Sequence, residues 1–235
     1  MVEYDILISE DPHDKDVVKV DERGGKVWLE RAEEGGKRVD VIHVPEDIGV
    51  YDAIRDPPSY QPTSYIIATE GVPVTRRGRE LKDRLRKRID PSEYASHVLA
   101  VAWCFLHGDE RRCPSFIARK SFRARRKSGA TVVKRAIPLY RVACDLLPKA
   151  LFAKKHGELP SSRAEALREN RELAELCFRT YTSMLDGRDY GLDEVFLRLS
   201  ELVNSVLSEK DFIAMERVFQ RMGIDYAGQL HRKEA

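Results

Sequence analysis

The sequence predicts an α+β protein, a small N-terminal antiparallel β-sheet module followed by an α-helical bundle. Three observations predict it. Up to Pro45, apolar residues tend to alternate with polar ones, the period of a half-buried strand. Gly24-Gly25 and Gly35-Gly36 punctuate that region as tight turns. From Arg76 onward, apolar residues recur at helical spacing between recognisable caps.

The strands come first. Val2, Tyr4, Ile6 and Ile8 fall on alternate positions and predict one strand. Val17 to Val20 is a second short run. The Gly24-Gly25 hairpin leads into Lys26 to Glu30. Gly35-Gly36 turns the chain into Lys37 to Val44, where Val39, Val41 and His43 share a face and Pro45 ends the strand. Three prolines between Asp56 and Pro62 mark a linker or ordered loop, lined by Tyr51, Tyr60 and Tyr65. Ser64 to Thr69 is expected as a last strand.

The helices follow. Arg76 to Arg88 is a short, very basic helix with Leu81, Leu85 and Ile89 on its apolar side. Asp90 and Pro91 start the next, which buries Tyr94, Val98, Val101, Ala102 and Phe105 and stops at Gly108. A third runs from near Cys113 to near Gly129. Pro138 and Pro148 cut the following stretch into two short pieces. Ser162-x-x-Glu165 is a capping box opening a long helix to about Leu185, with Leu173, Leu176, Cys177, Thr180, Tyr181 and Met184 as its core stripe. Glu175 and Arg179 are spaced to pair on its outer face. Asp193 to Leu207 and Glu209 to Met222 form a helical hairpin closed by Gly223. The expected organisation is an acidic β-rich module over residues 1–75, a basic helical segment over 76–160 and a C-terminal helical bundle over 161–235, with 76–235 read as one domain.

Charge is segregated along this chain. Residues 1–60 carry 16 acids and 8 bases, residues 61–160 carry 9 acids and 22 bases, and residues 161–235 carry 14 acids and 11 bases. The formal net charge of +2 conceals that pattern. From Arg111 to Cys144 there are eleven bases and no acid. Uncompensated like charges repel in a compact state, so packing alone does not call for such a run. A polyanionic partner does.

If residues 114–127 are helical, Arg119, Lys120, Arg123, Arg126 and Lys127 fall within an arc of about 120°. Phosphates along a nucleic-acid backbone are the natural counterpart of such a stripe, and the arginine fork suits bidentate phosphate contacts. Arg84, Arg86, Lys87 and Arg88 form a second patch. Phe116 and Phe122 are candidate stacking platforms for unpaired bases. The leading expectation is therefore a non-enzymatic nucleic-acid-binding protein, of DNA or RNA, recognising backbone rather than sequence. The competing expectation is an assembly module whose basic segment docks an acidic protein surface, with homo-oligomers forming through the C-terminal helices.

A third expectation is a metal-dependent nuclease. Glu80-Leu81-Lys82 matches the short acid-x-Lys element of some such enzymes, with Asp52 or Asp56 as a second carboxylate. The alternative for Glu80 is an exposed helical surface with Arg84 as its partner. The chain lacks G-x-S-x-G, G-x-x-x-x-G-K-[ST], G-x-G-x-x-G and H-E-x-x-H, and no catalytic residue, metal ligand or cofactor is assigned. Cys104-x2-His107-x5-Cys113 is the one metal-like spacing, and it lacks a nearby fourth ligand. Cys104, Cys113, Cys144 and Cys177 are expected as free buried thiols, or as disulfides in a hyperthermophile. The 34% charged fraction is thermophile-like. No stretch approaches the roughly 18 apolar residues of a membrane span, and the start has no signal-peptide pattern, so a cytoplasmic location is expected.

Overall fold

The computed structural model describes residues 2–10, 14–21, 25–55, 58–109, 111–118 and 131–224. The fold class is α+β. The chain divides into two compact units, Met1–Asp90 and Pro91–Ala235. The basic helix expected to open the helical part lies in the first unit.

The first unit is built on a five-stranded sheet of order β3-β4-β2-β1-β5, from β1 (Ile6–Glu10), β2 (Asp14–Asp21), β3 (Trp28–Glu34), β4 (Lys37–Pro45) and β5 (Val72–Pro73). The sheet is mixed, not antiparallel. β2 and β4 run parallel, with Val17 opposite Val41 and Val18 opposite Ile42. β4 therefore lies between β2 and β3, and the expected Gly24-Gly25 hairpin does not join adjacent strands; Gly24 itself lies outside the described residues. Two valine-rich runs of equal polarity pattern pair equally well in either direction, so sequence alternation cannot settle their sense. The Gly35-Gly36 hairpin forms as expected. Both glycines have positive φ, 61° and 79°, as a two-residue turn matching strand twist requires. β1 is irregular between Leu7 and Ser9, which breaks the alternation expected through Ile8.

Ser64 to Thr69, expected as a strand, belongs to α1 (Thr63–Glu70). Ser64, Tyr65, Ile67, Ala68 and Thr69 are all buried. A short run buried on every side shows no period, so helix and strand read alike. α2 (Arg76–Arg88) follows. Thr75 caps it, its hydroxyl accepting from the Gly78 amide (3.0 Å) and donating to the Asp5 carboxylate (2.7 Å). The other Asp5 carboxylate oxygen accepts from the Val20 amide (2.9 Å), so one side chain joins the start of α2 to the far end of β2. Leu81, Leu85 and Ile89 are buried as the spacing predicted. Gly78 faces β1, where a Cβ would overlap the Asp5 carbonyl oxygen and stand 2.9 Å from Ile6 Cγ1.

The second unit is helical. α3 (Pro91–His107) is buried around most of its circumference, beyond the single expected stripe. Val132 to His156 is one helical run, α4 (Val132–Tyr140), a π-helical segment (Arg141–Leu146) and α5 (Leu147–His156). The prolines do not break it. Pro138 sits inside α4, Pro148 stands in the first turn of α5, and the Leu147 amide bonds Val142 O in the wider π pattern. The expected long helix from Ser162 is two, α6 (Arg163–Arg168) and α7 (Arg171–Asp186). Asn170 interrupts it by accepting from the Leu173 amide (3.0 Å) as a second cap. α8 (Leu192–Val206) and α9 (Glu209–Arg221) complete the hairpin. α3 packs against α4, α5, α8 and α9. Among the described residues no helix is long and apolar enough to cross a membrane.

Asp211 anchors α9. It is 2% exposed and accepts from the Ser208 amide and hydroxyl, both 2.8 Å, with Lys154 at 3.1 Å. Burial alone would push its carboxyl up, but hydrogen bonds from Ser96, Ser208 and Lys154 outweigh that and hold it below the ordinary aspartate value.

Two expected outcomes follow from this packing. Gly78→Ala gains about 1 kcal/mol of helix propensity but forces backbone apart at a cost of about 1–3 kcal/mol. A net fall in the thermal midpoint is expected, and a rise would contradict the close approach. Asp211→Asn lowers stability at neutral pH by about 1–3 kcal/mol. A depressed folded pKa stabilises fully above the unfolded value, about 3.9, and less as pH falls through the folded value. Urea denaturation from pH 7 to 3 therefore shows the gap to wild type closing only below about pH 4.

Candidate phosphate-binding surface and carboxylate cluster

α2 brings eight bases into the first unit, and several serve the fold itself. Lys82 donates to Gly71 O (2.7 Å) and Arg86 to Ala68 O (3.1 Å), which places two cations at the carbonyl-rich C-terminal end of α1. Arg84 donates to Glu46 O just beyond β4. Arg76 pairs with Glu80 (2.8 Å) on the exposed face. Of the predicted second patch, Arg84 and Arg86 are thus half-buried and bonded to backbone, whereas Lys87 and Arg88 are exposed. Arg79, which the sequence reading did not single out, is exposed as well. Arg79, Lys87 and Arg88 make no ion pair among the described residues. Glu80 and Asp83 are interleaved with them, so this face is only mildly positive.

The principal stripe, Arg119, Lys120, Arg123, Arg126 and Lys127, lies outside the described residues, and so does Phe122. Phe116 is half-buried, and its ring meets Phe219 edge to face (5.9 Å). The flanks of the basic run are compensated within the second unit. Arg112 pairs with Glu209 (3.2 Å), and Arg135 reaches Asp189 (3.2 Å) and Asp193 (2.5 Å). Arg179 pairs with Glu194 of α8 (2.7 Å), not with the expected Glu175.

The parallel register of β2 and β4 brings together three carboxylates that the sequence reading did not single out. Asp16 is opposite Asp40 and Asp14 opposite Arg38, so all four share one face of the sheet. Ligand oxygens of Asp14, Asp16 and Asp40 lie within 4.8 Å of one another. Arg38 bridges Asp40 (2.5 Å) and Asp14 (3.5 Å), and Arg31 of β3 approaches Asp40 (3.9 Å). Asp40 holds the Arg38 pKa above its ordinary value through hydrogen bonding and charge. Asp16 accepts from the Ser9 hydroxyl (2.8 Å). Three carboxylate oxygens at this spacing suit a hard divalent cation. The sequence offered no direct signal, because alternation puts Asp40 on the face opposite Val39 and Val41, where a charge is ordinary.

The other candidates fall elsewhere. Glu80 is exposed on α2 and bound to Arg76, not Arg84. Among the described residues it belongs to no group of three metal-ligating side chains. His43 is buried, its ring nitrogens 3.1 Å from Asp21 and 2.8 Å from Glu30 and its ring stacked on Trp28 at 3.8 Å. The cysteines are not free thiols. Cys104 is bonded to Cys113 and Cys144 to Cys177. Cys113 does fold back onto the end of α3, but to the sulfur of Cys104.

No protein-family model matches this chain, and no curated protein matches it. Among solved structures, a nucleotidyltransferase-like protein from Exiguobacterium sibiricum 255-15 is similar at 13% identity, over 97% of this chain and 72% of that one, with a TM-score of 0.26. A superposition that loose carries no argument about function.

The division of labour along α2 has a direct check. Arg86→Met removes a cation from the α1 carbonyls and lowers the unfolding free energy by about 1 kcal/mol. Lys87→Met, one residue on and exposed, changes it by less than about 0.5 kcal/mol. Equal effects on chemical denaturation would contradict this assignment.

Proposed function

We propose that the protein binds nucleic acid by contacting its phosphates. The observation that carries this reading is the run from Arg111 to Cys144, eleven bases without an acid. Arg119, Lys120, Arg123, Arg126 and Lys127 are the principal contacts, with Arg79, Lys87 and Arg88 adding positive charge on α2. Their role is neutralisation of phosphate, with release of counterions. Labelled single-stranded DNA, duplex DNA and RNA titrated at several salt concentrations test it. Micromolar or tighter binding is expected, with log K falling by about 0.7–0.9 per phosphate neutralised for each decade of salt. Changing Arg119, Arg123, Arg126 and Lys127 to Glu abolishes it. Absence of binding at low salt would end this reading.

The convergence of Asp14, Asp16 and Asp40 favours a second reading, divalent-cation-dependent chemistry on a phosphate substrate. A nuclease is one form of it, with these carboxylates replacing the Glu80 element. Asp14, Asp16 and Asp40 would hold such a cation, which would supply Lewis-acid polarisation of a phosphoryl oxygen. Calorimetric titration with Mn2+ is expected to show binding that Asp40→Asn weakens about tenfold or more, since a charged oxygen ligand is lost. No Mn2+ binding by the wild-type chain would remove this reading and leave the first intact.

A further inference from the structure

The inner face of α7 is buried at Leu173, Leu176, Thr180 and Ser183, where the helix packs on α4, the π-helical segment and α8. At 100° per residue, Ala174, Phe178, Tyr181 and Leu185 lie on the opposite side, within an arc of about 60°. All four are exposed, Phe178 by 68%, Leu185 by 63% and Tyr181 by 38%. The outer face of a surface helix is ordinarily polar, and an apolar patch rimmed by charge marks an interaction surface. The stripe continues onto α4. Its Tyr140 ring meets that of Tyr181 (5.9 Å), and Ile137, one turn earlier on the same side, is exposed.

Charge beside the stripe is arranged by direction. Arg171, Glu175, Thr182 and Asp186 fall on one flank, within an arc of about 60° next to the apolar one. Arg171 opens α7 and Asp186 closes it, and both are exposed. Each has the sign that its own end of the helix disfavours. Arg171 makes no ion pair among the described residues. Asp186 accepts from the Tyr190 hydroxyl (2.6 Å) and the Arg188 amide (2.9 Å), and these bonds hold its carboxyl below the ordinary aspartate value, so it stays charged.

We propose that the outer face of α7 is the contact between two copies of this chain, packed antiparallel about a two-fold axis through the middle of the helix. Such an isologous contact sets position 171 opposite 186, 174 opposite 183 and 175 opposite 182. Arg171 of each copy then meets Asp186 of the other, and each charge stands beside the helix end that favours it. Phe178 lies against Phe178 of the second copy, and the small Ala174 leaves room for Tyr181 and Leu185 across the axis. A parallel arrangement would bring like charges together at both ends. This self-complementarity is the reason for a second copy rather than an unrelated protein as the occupant. The stripe runs the length of one 16-residue helix, a small area among specific interfaces, so the dimer is weak and depends on concentration. The surface is separate from the basic run, and the proposal does not rest on nucleic-acid binding.

The test is sedimentation of the full-length protein in low salt, from low to high micromolar concentration. The wild-type chain is expected to pass from monomer to dimer. Phe178→Ser weakens association by about thirtyfold or more, because two rings leave the contact. Ile213→Ser, at an exposed apolar residue of α9, leaves it unchanged. Arg171→Glu and Asp186→Lys each weaken it by about tenfold, since like charges then meet twice across the axis. An equimolar mixture of those two variants recovers association, because each copy offers the other the opposite sign at both ends. Damage to the fold alone would not be reversed by mixing. Circular dichroism checks each variant, and if Phe178→Ser misfolds, the charge variants and their mixture decide. A wild-type chain that stays monomeric at every concentration overturns the proposal and leaves the stripe to another partner. So does a dimer that survives Phe178→Ser, one that neither charge variant weakens, or one that mixing does not restore.

Discussion

The parallel pairing of β2 with β4 is the constraint on which the first unit depends. It excludes β3 from the centre of the sheet and fixes which residues share a face. On one face Val18, Val20, Ile42 and Val44 are buried, while Ile6 of the neighbouring β1 meets α2 at Gly78. On the other, Val17, Val39 and Val41 gather Val2, Tyr4, Leu7 and Ala32. Because a one-residue slip would exchange the faces, the register also decides that Asp14, Asp16 and Asp40 meet. Arg38 and Arg31 follow from the same register, as counter-charges for carboxylates that would otherwise repel one another.

Positive charge is distributed by use. In the first unit, Lys82, Arg84 and Arg86 donate to backbone carbonyl oxygens and tie α2 to its neighbours. In the second, Arg112, Arg135, Lys154 and Arg179 draw acids of the C-terminal helices onto the bundle. The acid-rich last third of the chain thus answers part of the base-rich middle. A sum over sequence windows overstates the charge available to a partner. Bases are densest on α2 and along the acid-free run that starts at Arg111.

Much of the fold was legible because its signals are local. The Gly35-Gly36 turn, the Leu81-Leu85-Ile89 side of α2, the start of α3 at Pro91 and the final hairpin each follow from adjacent residues. What failed was non-local or ambiguous. The direction of β2 against β4 depends on residues more than twenty positions apart. α1 is buried on too many sides to show a period. Asn170 outcompeted the helix around it by capping, and one helical run carries Pro138 and Pro148 on either side of its π-helical segment, although proline normally ends a helix. The candidate site was legible only in part. The basic residues stand out in composition, but which of them bond backbone depends on where α1 and the end of β4 lie. The carboxylates were hidden because only the strand register makes them neighbours.

The register can be measured without reference to function. Asp16→Cys with Asp40→Cys places two thiols on partnered positions, and Val20→Cys with Asp40→Cys places them four residues out of register. After mild oxidation, peptide mapping by mass spectrometry is expected to find the 16–40 cross-link and not the 20–40 one. The opposite result would contradict the parallel pairing, and with it the carboxylate cluster and the assignment of both sheet faces.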